Sequence, residues 1–151
     1  MIFKYRFSVE GDNFYPELIL NNIQGDFVVD SYFNPTDKKV DNKPDEYGYG
    51  SFSFWHKNKF STEDDIAEYE KDFIEFIEKN HSLFVENRAT DFEIFIEIYF
   101  DGGQCNFEIF TKQLLKKIGD FKVSLPISVY LLKNEEIQRW EDEIRLVWES
   151  R

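Results

Sequence analysis

An α+β domain, with a mainly antiparallel sheet and helices packed on one face, follows from three features of this sequence. Apolar and polar residues alternate with a two-residue period in 2–10, 51–57 and 91–100, as in strands with one wet face. Glycine, proline and Asp-Gly turn signals separate strand segments that come in pairs. Segments of helical period fall between those pairs rather than between single strands, so the order reads β-α-β-β-α-β-β-α-β-α. At 151 residues, 42% hydrophobic and 19% aromatic, the chain has the material for one domain, 1–151, with its own core and a C-terminal helix, 134–150, packed on it.

The elements justify themselves in order. In 2–10, Phe3, Tyr5, Phe7 and Val9 share one face and Lys4, Arg6 and Ser8 the other. Gly11-Asp12 breaks that strand, and Pro16 fits the first turn of a short helix that ends near Gly25. A strand over 26–33 leads to a charged, turn-rich loop, 34–50. Phe52, Phe54 and His56 then alternate with Ser51, Ser53 and Trp55. Ser61 or Thr62 can cap a helix running to about residue 80, whose apolar side carries Ile66, Tyr69, Phe73, Ile74, Phe76 and Ile77. Glu70 falls within that apolar arc and needs a partner or an escape to solvent.

The strongest strand is 91–100, with Phe92, Ile94, Ile96, Ile98 and Phe100 on one face and Glu93, Phe95, Glu97 and Tyr99 on the other. Asp101-Gly102 turns it back into an antiparallel return strand, 104–110. Thr111 caps the helix that Gly119 closes. In the strand 121–132, Pro126 lacks a donor N–H and implies an edge or a bulge. Asn134 caps the last helix, where Ile137, Trp140, Ile144 and Val147 recur at helical spacing.

The strand into Gly11-Asp12, the Pro16-Glu17 helix start with Ile19 and Leu20, the Gly50-Ser51-Phe52 strand, and the acidic-aromatic strand turning at Asp101-Gly102 into LLKKIG together resemble a known family. It is a family of small bacterial proteins defined by an uncharacterised domain (domain of unknown function 4279), and the likeness covers about residues 3–132. The 26–50 region is longer than the family's usual connection, and the C-terminal helix lies outside the likeness. The resemblance implies a fold more than a function. In general character the chain also resembles small acidic immunity proteins, which block a partner toxin.

Little in the chain points to catalysis. Neither His56 nor His81 has a cysteine or second histidine at metal-ligand spacing, so they read as a strand residue and a cation at a helix C-terminus. Cys105 stands alone, without an adjacent base or helix N-terminus, and reads as a structural thiol. A single cysteine also suits a reducing compartment, and the N-terminus lacks the basic-then-apolar pattern of a secretory signal, so a cytoplasmic protein is expected. DNKPDEYGYG departs from the calcium-loop pattern, and no phosphate loop of the GxxxxGK[ST] type is present. No catalytic residue, cofactor or metal is assigned, and no enzyme activity is expected.

The charge carries more. A net charge of -12 opposes binding to nucleic acid and to anionic membranes. Residues 61–80 hold eight carboxylates and two lysines, which is half of that excess. Asp64, Glu68 and Asp72 form a same-sign ladder at four-residue steps, extended by Glu75 and only partly relieved by Lys71 and Lys79. Like charges four apart on a helix destabilise it by a few tenths of a kcal/mol per pair. A basic partner surface would offset that cost. The expectation is a non-catalytic binding protein, an immunity protein or inhibitor that uses Asp64, Glu68, Asp72 and Glu75 to mask a basic partner such as a bacterial toxin. The alternative is a small-molecule-binding or regulatory domain with an aromatic-lined pocket between sheet and helices.

Overall fold

The first strand is the spine of the molecule because both of its flanks are paired. In the computed structural model, which describes residues 1–39, 44–62, 68–103 and 110–149, β1 (Ile2–Gly11) lies between β3 (Gly50–His56) and β5 (Asp91–Phe100), antiparallel to both. β2 (Phe27–Phe33) continues the sheet beyond β3, and the short β4 (Ser61–Thr62) pairs with Ile2 and Phe3. Beyond β5 stand β6 (Val123–Ser124) and β7 (Ile127–Leu131), both parallel to it. The fold is α+β with a mixed, mostly antiparallel sheet of seven strands.

That parallel pair differs from the expected hairpin. The return strand, 104–110, lies outside the described residues except for Phe110. Both flanks of β5 are taken, by β1 on one side and by β6 and β7 on the other. The chain reaches β6 and β7 through helix α2 (Lys112–Asp120), the kind of crossover that parallel neighbours require. Leu125-Pro126 interrupts the strand as expected, yet Pro126 still accepts a hydrogen bond at its carbonyl from the Ile96 N–H at 3.0 Å. Among the described strands β7 forms an edge, where Ile127, Val129 and Leu131 are exposed.

Helix α1 (Tyr69–Glu86) starts later and ends later than its periodicity suggests. Ser61 and Thr62, read as caps, are instead buried in β4 beside the start of β1. At the other end, Asn87 donates from its side chain to the Leu83 carbonyl at 2.8 Å, and Arg88 adopts a positive φ of 76° that ends the helix. His81 therefore sits within α1 rather than past it. Its ring lies against Phe92 and Phe121, at 5.0 and 4.9 Å, and burial lowers its pKa, so it packs as a neutral ring rather than as a terminal cation. The helix expected after Pro16 is two 3₁₀ turns, Pro16–Leu18 and Leu20–Asn22. The segment is too short to sustain an α-helix alone, and Phe14, Pro16 and Ile19 are drawn into the core.

α1 and α2 cover one face of the sheet. There Phe7, Phe14, Phe52, Phe54, Phe73 and Phe84 are fully buried. Offset and edge-to-face contacts join them, such as Phe7 to Phe76 at 5.9 Å and 80°. Asn80, also fully buried, accepts from the Gln24 N–H at 2.8 Å and donates to the Gln24 carbonyl at 2.7 Å, so one side chain clamps the turn before β2 to α1. Gly50, paired with Gly11, has no room for a side chain: a Cβ there would stand 1.7 Å from the Phe14 carbonyl oxygen.

The third helix departs from the expected one-faced arrangement. α3 (Asn134–Glu149) buries Ile137 and Ile144 with Ile2, packed by Tyr99, Trp140 and Phe60. By strand alternation Ile2 and Tyr99 belong to the opposite face, at one end of β1 and β5. Their apolar side chains give α3 a footing that the polar remainder of that face does not offer.

Candidate functional site

The acidic ladder begins where α1 emerges from the β4 connection. Asp64 lies outside the described residues. Glu68 immediately precedes the first helical turn, 67% exposed, and pairs with Lys71 at 3.0 Å. Asp72 Oδ2 lies 2.8 Å from His56 Nε2. His56 Nδ1 lies 3.0 Å from the Asn58 backbone N–H, which donates to it, and 3.3 Å from the Asn58 carbonyl oxygen. The buried imidazole thus holds the Asp72 carboxylate in place. Glu75, exposed, follows on the same side of the helix.

Glu70 does not join this row. Its carboxylate turns inward and accepts from the Tyr5 hydroxyl at 2.8 Å, the partner that its place in the apolar arc demanded. Burial raises its pKa, and the Tyr5 hydrogen bond only partly offsets that rise. The same burial, with the Glu70 charge nearby, raises the pKa of Tyr5.

Asp72 and Glu75 face a notch of about 150 Å³ between α1 and the turn into β2. Asp26 lines its far side, and Phe27 and Phe76 contribute apolar surface. Lys57, bonded to Asp26 at 3.0 Å, and Lys79 stand at the rim. Three carboxylates from two segments, α1 and the turn before β2, converge there. The sequence reading did not find Asp26, because nothing local to a turn residue reveals which helix it will face.

The sheet face turned away from α1 is of another kind. Register places Ser31, Ser53, Ser8, Glu93 and Ser124 in one row across five strands. On one side of it lies the row Trp55, Arg6, Phe95, and on the other the row Ser51, Glu10, Asp91. Arg6, the row of serines with Glu93, and the row Ser51, Glu10, Asp91 line an open cavity of about 480 Å³, with Arg6 toward one end and Glu10 and Asp91 toward the other. Between sheet and helices, where the alternative expectation put an aromatic-lined pocket, the described residues include a cluster of fully buried phenylalanines.

Among the described residues no group of three histidine, cysteine or carboxylate side chains is placed to hold a metal ion. Cys105 lies outside the described residues. No described helix is long and apolar enough to cross a membrane. Comparison with protein-family models, with curated proteins and with solved structures returned no match.

Proposed function

We propose that this protein is a non-catalytic binding protein, an immunity protein or inhibitor, that masks a basic protein partner such as a bacterial toxin. The observation that carries this reading is the convergence of Asp26, Asp72 and Glu75 on one notch, with Glu68 exposed beside it. Such a notch suits a single arginine or lysine head: carboxylates receive its charge while Phe27 and Phe76 meet its aliphatic stem. Asp26 pairs with Lys57 and Asp72 with His56, and Glu75 stands exposed beside them. The Glu68–Lys71 pair is exposed on both sides and therefore weak. The likeness to small acidic immunity proteins points the same way.

The test is association with the product of the adjacent gene, measured at low and at high salt. A Glu68→Lys, Glu75→Lys double variant keeps the His56–Asp72 bond and should associate roughly tenfold more slowly at low salt, with the difference shrinking as salt rises. An unchanged association rate at low salt would leave the ladder as ordinary solvent coating and defeat the proposal.

A further inference from the structure

The open sheet face holds two opposite charges that are neighbours and yet unpaired. Arg6 pairs in register with Phe95, so Glu93 is its diagonal neighbour on β5, about 7–8 Å away between backbones. No ion pair joins them, and among the described residues Glu93 has no hydrogen-bond partner. Arg6 is instead held by its two register partners, its guanidinium 5.9 Å from the Trp55 ring and 5.5 Å from the Phe95 ring. Arg6 Nε and Trp55 Nε1, side by side, are both buried donors with no acceptor. Native structures leave few such donors, and each asks for an explanation.

The charges around this pair are polarised. Lys4 and Lys59 place their ammonium groups 4.5 and 4.8 Å from the Trp55 ring, so three cations gather at one end of the face. Among the described residues, Lys4 of these three has a carboxylate partner, Glu97 at 2.7 Å. At the other end stand Glu10, which accepts from Ser51 at 3.1 Å, and Asp91. Between the two ends Ser8 and Ser53 present hydroxyls and no bulk. A ligand seated here meets positive charge at the Arg6 end and, from the serine row onward, hydroxyls together with the negative charge of Glu93, Glu10 and Asp91.

We propose that this face binds a short peptide with free ends, its C-terminal carboxylate on Arg6 and its N-terminal ammonium on Glu93. Two residues span about 7 Å when extended, the order of the backbone spacing between these two diagonal neighbours. The cavity, about 480 Å³, falls within the size range of small-molecule sites. Serine hydroxyls donate to and accept from the peptide groups, which spares the ligand unpaired polar atoms on binding. This site is on the opposite side of the sheet from the acidic notch and does not depend on it.

The test uses the full chain and a mixture of dipeptides in three forms: free, N-acetylated and C-amidated. Binding is read from the Trp55 indole N–H resonance, assigned by its loss in Trp55→Phe. Free dipeptides should move that resonance, and each cap should weaken binding roughly tenfold or more. In Arg6→Gln the amide cap should no longer matter, and in Glu93→Gln the acetyl cap should no longer matter. The two variants lie on different strands, so each keeps the test alive should the other misfold. No movement with free dipeptides overturns the proposal. So does a cap effect at one end only, or one that persists in the matching variant.

Discussion

Phe54 and Ser53 are neighbours on β3, yet they inhabit different chemistries. Phe54 packs against Phe7, Phe76 and Phe84 beneath α1, and Ser53 faces Ser8 across the open side with 3.3 Å between their hydroxyl oxygens. The same division runs through β1 and β5, where Phe7 and Ile94 point one way and Ser8 and Glu93 the other. One parity of each strand builds the core. The other, beyond the Ile2 and Tyr99 end that seats α3, carries serines and charged groups.

Substitutions on the two faces should separate this division sharply. Phe54→Ala opens a cavity among rings that cannot fully collapse and should cost about 3–5 kcal/mol in urea unfolding. Asn80→Ala should cost about 1–3 kcal/mol, because the N–H and carbonyl of Gln24 lose their partner. Glu70→Gln should act in the other direction and depend on pH. The folded pKa of Glu70 is raised by burial, so the native protein loses stability as pH rises from the ordinary carboxylate range through the folded value. The glutamine variant escapes that loss: it should be more stable than the native chain at neutral pH, with the difference vanishing toward low pH. Thermal unfolding across that range checks the sign. The smallest effect belongs to the open face, where Ser53→Ala should change stability by less than about 1 kcal/mol. A large loss there would show that the serine row is structural after all.

Much of the sheet was legible from alternation. β1, β3 and β5 stand within a residue of where their period placed them, because a strand's parity is written in consecutive residues. What alternation could not convey is which strand lies beside which. Asp101-Gly102 reads locally as a hairpin, but the far flank of β5 is filled from beyond α2, a choice made by tertiary packing. Ser61 and Thr62 read as caps until the start of β1 pairs with them. The acidic ladder was visible as spacing. The His56–Asp72 bond and the approach of Asp26 were not, since both join segments distant in sequence. Lys4, Arg6 and Ser8 were recognised as a wet face and the side of β5 that carries Glu93 as a partly covered one, but their juxtaposition needed the register.

Strand β7, an edge among the described strands, has a consequence for how this protein behaves in acid. From Phe121 to Asn134 the chain has no carboxylate at all, although the molecule as a whole carries a charge of -12. Ile127, Val129 and Leu131 project from this stretch into water. At neutral pH, mutual repulsion between molecules keeps such strands from finding one another. Near the isoelectric point of about 4.6 that protection lapses, and β7 becomes the seam along which copies would zip together.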